Sequence, residues 1–128
     1  MTYRIAFDEE PGLLVARVRG ERPDLDADAG IEAAQGWRAI AEEARGRGVG
    51  RILLLVDVQG EPTSSNAQLQ AGLMATFGFE RQQRIACVFL QERMLRVNRL
   101  GALLAAEQGW NIRAFGSEAE ARAWLDGG

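Results

Sequence analysis

The chain contains no lysine and no histidine, and all fifteen of its basic residues are arginines. The absence of histidine removes the usual general base and the commonest metal ligand, and the absence of lysine removes the amine that forms Schiff bases. A serine-hydrolase triad is excluded on the same ground, because no base remains to activate a serine. Carboxylate-pair and arginine-assisted chemistry remain possible, but without a base, nucleophile or metal set we expect a non-enzymatic protein with no bound metal and no cofactor.

The chain has a single cysteine, Cys87, within the apolar run IACVFL. It cannot form a disulfide within the chain, which agrees with a reducing compartment, and its apolar neighbours predict a buried thiol. The apolar runs fall well short of the roughly 18 residues of a transmembrane segment, and the N-terminus is charged from Arg4 onward. These features predict a cytoplasmic protein without a transmembrane segment.

The chain has 128 residues, 47% of them hydrophobic, and a formal net charge of −3. This length and composition fit one domain over residues 1–128 with one hydrophobic core. The arginines are scattered along the sequence and do not form a basic stripe, so we do not expect a nucleic acid or an anionic membrane surface as partner.

Two continuous apolar runs are the strongest structural signals in the sequence. The first, Ile52 to Val56 in RILLLVDVQG, is bounded by Arg51 and Asp57, and the second is Arg84 to Leu90, RIACVFL. A strand that is covered on both faces has this continuous pattern. We therefore predict two interior parallel strands at the centre of the sheet.

The flanking segments predict an α/β fold with the element order ββαβαβαβα. Alternating apolar residues predict two strands, 2–7 and 13–19, joined into an antiparallel hairpin by a type II turn at Pro11-Gly12. Apolar residues at helical spacing predict helix one over 31–45, helix two from the serine-bearing loop to near Gly78, and helix three over about 94–104. A last helix is predicted to be capped by Ser117 and Glu120. An edge strand is predicted over 111–115, which makes a mixed sheet of four to five strands.

The glycine-rich segment GRGVG at 46–50 precedes a strand and follows a helix. A phosphate-binding loop has the opposite order, since it follows a strand and opens a helix. We interpret this segment as a helix terminator followed by a tight turn.

Polar residues follow both interior strands, and in open parallel sheets ligands bind outside the carboxyl ends of the strands. The residues predicted to share this crevice are Asp57, Gln59, Gly60, Ser64, Ser65, Asn66, Gln91 and Glu92. Asp57 has two interpretations, a catalytic or metal-binding carboxylate, with Glu92 as its partner in an enzyme, or a carboxylate that organises the loop. A receiver-type phosphoacceptor would need a lysine, and we favour the loop-organising role.

The serines at the start of helix two also have two interpretations. Thr63, Ser64, Ser65 and Asn66 are all good N-cap residues. The same position favours a phosphoryl group, because the free amides and the dipole of a helix N-terminus attract anions.

The order of elements and several segments resemble the STAS superfamily, the sporulation anti-sigma-factor-antagonist-like domains, and especially its small stand-alone bacterial members. The segments that carry this resemblance span most of the chain: RILLLVDVQG, the loop TSSNAQL, RIACVFL and the ending IRAFGSEAEARAWL. The resemblance implies a binding or regulatory domain and not an enzyme.

Two functions follow from the resemblance. In partner-switching members a serine at the start of helix two is phosphorylated and controls docking to an anti-sigma kinase. Ser64 or Ser65 matches that position. The family has Asp-Ser-Ser-Gly there, whereas this chain has Thr63-Ser64-Ser65-Asn66. Related lipid-transfer domains hold an apolar ligand beside the sheet, and Leu69 and Leu73 would line such a pocket or belong to the core. The expected partner is thus a small apolar ligand or a regulatory protein. A homodimer is compatible with the sequence, although no heptad requires one.

Overall fold

The computed structural model describes residues 3–127, in which helices pack on both faces of one mixed sheet. The strands of this part of the chain are β1 (Arg4–Glu10), β2 (Leu13–Glu21), β3 (Arg51–Gln59), β4 (Arg84–Phe89) and β5 (Ile112–Phe115). Its helices are α1 (Asp26–Arg47), α2 (Ser64–Gly72), α3 (Met74–Phe77), α4 (Glu92–Glu107) and α5 (Glu118–Leu125). The strand order is β1-β2-β3-β4-β5, with β1 antiparallel to β2 and all other neighbours parallel. The predicted α/β class and order of elements are confirmed.

The central strand β3 is buried because helices cover both of its faces. Ile52 and Leu54 face a large core formed with α1, α2, α3 and α4, whereas Leu53 and Leu55 face a smaller core beneath α5. Successive side chains of a strand point to opposite faces, so a continuous apolar run is what a doubly covered strand needs. The prediction of two interior strands is confirmed, since β4 pairs with β3 and residues 85–89 are all buried.

Helix α5 covers only part of the second face of the sheet. It packs on β3, β4 and β5 through Ala121, Trp124 and Leu125. Toward the carboxyl end of β2, Arg17 and Arg19 lie exposed on this face. Four helices therefore cover the face of the sheet that carries the larger core, whereas the other face is open at β1 and at this end of β2.

Two helix boundaries differ from the prediction. Helix α1 begins at Asp26, five residues before the predicted Ile31, with Asp26 and Asp28 in its first turn, where negative side chains are favourable. The predicted helix two is divided at Leu73 into α2 and α3. This break allows Phe77 to stack on Trp37 of α1, with ring centroids 6.1 Å apart.

Two predicted helix ends are confirmed. Helix α1 ends at Gly48, which has the left-handed conformation with φ 65°, so GRGVG terminates a helix. In α5, Oγ of Ser117 accepts a hydrogen bond from the backbone N–H of Glu120 at 3.3 Å. Among residues 3–127, no helix has the length and hydropathy that crossing a membrane requires.

Candidate functional site

The main cavity lies over the carboxyl ends of β2, β3 and β4, on the face that the larger core occupies. It has a volume of about 110 Å³. Its walls are mostly apolar and come from α1, α4 and the strands: Ile5, Val18, Ala33, Gly36, Trp37, Ile40, Leu54, Val56, Val58, Phe89 and Met94. The position agrees with the general location of ligand sites in open parallel sheets.

Polar groups of the main cavity come from the loops and helix ends beside it: Tyr3, Arg22, Thr63, Asn66 and Asn98. The amide nitrogen of Asn98 donates to the carbonyl oxygen of Met94 at 2.9 Å, and Oδ1 of Asn66 accepts from Nε2 of Gln70 at 3.1 Å. In the described part of the chain, the other polar end of each amide, Oδ1 of Asn98 and Nδ2 of Asn66, has no hydrogen-bond partner. Burial raises the pKa of Tyr3, and the effect of Arg22 opposes this shift.

A second cavity of about 80 Å³ adjoins the first between α2, α4 and the sheet. The two cavities share five lining residues: Ala33, Trp37, Asn66, Phe89 and Asn98. Gln70 belongs to the second cavity, and its Nε2 donates to the carbonyl oxygen of Gly30 at 3.0 Å while its Oε1 is buried without a partner in the described chain. An orphaned buried acceptor is costly, so a donor group or a water is expected beside it.

A hydrogen-bond network joins the starts of α1 and α2 at the rim of the main cavity. Oγ1 of Thr63 donates to Oδ1 of Asp26 at 2.7 Å, and Oγ of Ser65 donates to Oδ2 of the same carboxylate at 3.0 Å. Arg22, whose side chain is only 8% exposed, forms an ion pair with Asp26 and donates to the carbonyl oxygen of Pro23 at 3.1 Å. Hydrogen bonds from Thr63 and Ser65 hold the pKa of Asp26 below its ordinary value, and Arg22 adds to this effect.

The two serines of the predicted crevice have different surroundings. Ser65 is engaged with Asp26, whereas Ser64, the first residue of α2, is exposed and has no hydrogen-bond partner in the described part of the chain. The N-cap itself is Thr63, whose Oγ1 accepts from the backbone N–H of Asn66 at 3.2 Å.

The carboxylate of Asp57 lies on the opposite face of the sheet from the main cavity, because it alternates with Val56 and Val58, which line that cavity. Oδ1 of Asp57 accepts from Nε2 of Gln59 at 3.3 Å and from Nε2 of Gln91 at 3.4 Å. The sheet therefore divides the predicted crevice residues into a cluster of Asp57, Gln59 and Gln91 on one side and Asn66 at the cavity on the other.

The remaining predicted residues lie outside the main cavity. Glu92 is exposed and forms an ion pair with Arg96 at 3.8 Å, and neither it nor Asp57 lines any of the cavities described here. Leu69 is 50% exposed on α2, and Leu73 packs against the larger core.

Gly60 has a positioning role next to the cavity. Its φ is 123°, and a Cβ at this position would lie 2.9 Å from Cβ of Arg22. The backbone N–H of Arg22 donates to the carbonyl oxygen of Gln59 at 2.8 Å. A glycine is required here by the backbone conformation and by the closeness of Arg22. Because Gly60 has no side chain, Arg22 can approach it and reach the rim of the cavity.

Several cavity residues were not predicted from the sequence, among them Arg22, Trp37, Val56 and Asn98. Trp37 and Val56 look like ordinary core residues in the sequence. Helical or strand periodicity shows that a side chain faces the core, but not whether other side chains pack against it or leave a cavity beside it. Asn98 is the one with a usable signal, since it is an amide on the apolar side of helix three. Arg22 has no such signal, because it lies between the predicted second strand and helix one, in a segment without apolar periodicity.

Two other features do not add a site. A groove of about 520 Å³ runs beside α4 and β5, but many of its lining residues are exposed: Arg99, Leu103, Ala106, Arg113 and Glu120. Cys87 is buried as predicted, and burial raises its pKa to about 12. Within residues 3–127, no group of three or more acidic, cysteine or histidine side chains is placed to hold a metal ion.

Comparison with other proteins adds no family assignment to this geometry. No family model matches the chain, and no curated protein matches it.

Proposed function

We propose that this protein is a non-catalytic, STAS-like binding or regulatory module that holds a small apolar or amphipathic ligand in the main cavity. The observation that carries the proposal is the cavity of about 110 Å³ at the carboxyl ends of the central strands, with apolar walls and a few polar groups at one rim. Small-molecule sites in proteins have this construction, in which apolar walls supply affinity and a few polar groups orient the ligand.

The volume of the cavity indicates the size of the group that it can hold. An engineered apolar cavity of about 150 Å³ holds benzene, and the main cavity of about 110 Å³ is of the same order. A single ring therefore fits, with Trp37 and Phe89 as walls. Ring-sized amphipathic molecules are the class that we expect.

The polar rim indicates a neutral polar group on the ligand. The charge of Arg22 is already matched by Asp26, so the rim does not call for an anion. Nδ2 of Asn66 is a donor and Oδ1 of Asn98 an acceptor, and each is without a partner in the described residues. A hydroxyl or amide group on the ligand would satisfy either atom.

Native mass spectrometry of the protein purified from its host tests whether a ligand is bound. We expect an adduct of small mass that is lost on denaturation. An unmodified apo mass, together with no binding of ring-sized probes, would contradict the proposal.

Fluorescence of Trp37 gives a direct measure of probe binding. In a variant with Trp110→Phe and Trp124→Phe, Trp37 is the only tryptophan and it lines the cavity. Titration with toluene and with benzyl alcohol, which adds one hydroxyl, should change its emission in both cases. We expect benzyl alcohol to bind more tightly by about 0.5–1.5 kcal/mol, the usual net value of one hydrogen bond.

A matched pair of substitutions on α1 locates the site. Ala33 lines both cavities, whereas Ala39 is likewise half-buried on α1 but lines neither. Ala33→Leu should fill the space and abolish probe binding, and Ala39→Leu should leave it intact. Equal effects of the two substitutions would place the binding elsewhere.

We propose as an alternative function a protein-interaction phosphoswitch, for which Ser64 is the better acceptor. Ser64 is exposed at the first position of α2, where a phosphoryl group meets free amides. A phosphoryl group on Ser65 would instead lose its hydrogen bond to Asp26 and lie against that carboxylate.

Phosphoproteomics and pull-downs from the host with Ser64→Asp and Ser65→Asp variants test this alternative. We expect phosphate on Ser64 and a partner whose binding changes in Ser64→Asp but not in Ser64→Asn, which is the uncharged control. Partner binding that is unaltered in both aspartate variants would exclude the phosphoswitch.

A further inference from the structure

Strand β1 forms one edge of the sheet. Within the described residues it pairs with β2 only, so the backbone groups on its outer side have no strand partner. It is seven residues long. An edge strand of this length is a template for pairing with another chain unless its side chains oppose the pairing.

The sequence of β1 is complementary to itself in the antiparallel direction. When two copies are aligned about Ala6, Arg4 of each copy lies opposite Asp8 of the other, Ile5 lies opposite Phe7, and Ala6 lies opposite Ala6. Opposite charges and apolar pairs are the cross-strand combinations that stabilise antiparallel strands. We propose that two copies of this chain pair through their β1 edges about a two-fold axis at Ala6 and thereby join their two sheets into one.

The side chains of β1 that would meet across the axis are exposed or only partly buried. Arg4 is exposed and has no partner among the described residues, and the Asp8 side chain is 68% exposed, with a single ion pair at 3.6 Å to Arg17. Ile5 and Phe7 are only partly buried at the margin of the larger core. The dimer would give the two charges close partners and would cover the two apolar side chains.

The neighbouring register, centred on Phe7, is less favourable. It would place Arg4 opposite Glu10 and Phe7 opposite Phe7, but also Ile5 opposite Glu9 and Ala6 opposite Asp8. Glu9 and Glu10 are moreover already engaged within the chain, with Arg47 at 3.1 Å and with Arg122 at 2.9 Å. Arg4 and Asp8 are therefore the charges that remain for a second copy.

Charge reversal tests the pairing. Sedimentation equilibrium of the full chain, across micromolar to millimolar concentrations, should show a reversible dimer. Arg4→Asp or Asp8→Arg alone should weaken the dimer about tenfold, because each variant places two like-charge pairs across the axis. The double variant should restore wild-type association. Arg113→Asp, which changes an exposed arginine on the opposite edge strand β5, is the control and should have no effect.

Cysteine cross-linking tests the register independently. Cα atoms of directly opposed residues in an antiparallel pair are about 4.5–5.5 Å apart, which is within the range of a disulfide. Ala6→Cys should therefore form disulfide-linked dimers under mild oxidation. Asp8→Cys should not, because position 8 lies opposite Arg4. The native Cys87 is buried and should give no background.

Three results would overturn the proposal: a monomer at all concentrations, a double variant no stronger than the single variants, or linkage of Asp8→Cys as fast as that of Ala6→Cys. Circular dichroism shows whether each variant is folded. If a charge variant does not fold, the cross-linking experiment tests the proposal in its place.

Discussion

Oγ1 of Thr63 donates a hydrogen bond to Oδ1 of Asp26 at 2.7 Å and so ties the start of α2 to the start of α1. Ser65 donates to the second oxygen of the same carboxylate, and Arg22 forms an ion pair with it. Asp26 thus holds together the rim of the main cavity, and it lies before the predicted start of helix one at residue 31.

Removal of the Asp26 charge should lower stability in a pH-dependent manner. The pKa of Asp26 is lowered in the folded state from its ordinary value of 3.8, so its stabilising effect is present above that value and is lost as pH falls through the folded-state pKa. Asp26→Asn should therefore have a lower Tm than wild type at pH 7, and the difference should narrow below pH 3.8. Thermal melts across this range measure it. Asp24→Asn, at an exposed aspartate two residues earlier, is the control, and an equal effect there would contradict the prediction.

Gly101 of α4 packs directly against the backbone of α2. A Cβ at this position would lie 3.0 Å from the carbonyl oxygen of Ala67, which is tighter than ordinary packing. Gly101→Val should therefore reduce the free energy of unfolding by about 1–3 kcal/mol. Gly72→Ala, in open space at the end of α2, should instead raise it by up to about 1 kcal/mol. Urea denaturation measures both, and a Gly101→Val variant as stable as wild type would show that the helices separate easily.

The thiol of Cys87 should make stability fall at alkaline pH. Its pKa is raised by burial from 9.0 to about 12. The unfolded chain therefore loses the thiol proton first, and the stabilising effect, which is full below pH 9, is lost as pH rises toward 12. At pH 10.5 the loss is about 2 kcal/mol, at 1.36 kcal/mol per pKa unit. The difference in free energy of unfolding between wild type and Cys87→Ala should change by this amount from pH 8 to pH 10.5. An unchanged difference would contradict the prediction, because it would mean that the thiol ionises equally well in the folded protein.

Truncation of a side chain in the central strand should cost far more stability than truncation on the surface of α4. Ile52 is completely buried, whereas Leu103 on α4 is 60% exposed. Ile52→Ala should cost about 2–5 kcal/mol, and Leu103→Ala should stay within about 0.5 kcal/mol of wild type. The free energy of unfolding from chemical denaturation distinguishes the two, and similar small losses would contradict the central position of β3.

The fold was largely predictable because its main elements have strong local signals. The apolar runs at 52–56 and 84–90 require cover on both faces, and the alternating segment before Pro11-Gly12 can bury only one face. Local signals failed where tertiary contacts outweighed them. The break at Leu73 accompanies the packing of Phe77 on Trp37, and the early start of α1 places Asp26 against Thr63.

The candidate site was predicted less well for a geometric reason. The sequence located polar residues at the carboxyl ends of β3 and β4, but it did not separate the two faces of the sheet there. Asp57 and Val56 are neighbours in the chain and lie on opposite faces, so only Val56 lines the main cavity.

The sequence by itself determined the α/β class, the order of the elements, the central position of residues 52–56 and the burial of Cys87, because each depends on local periodicity and on the burial of apolar side chains. Only the tertiary structure decided where a cavity remains and which side chains line it. Whether Trp37 and Asn98 border empty space depends on how closely α1 and α4 approach the sheet, and that spacing is set by packing among residues far apart in the chain.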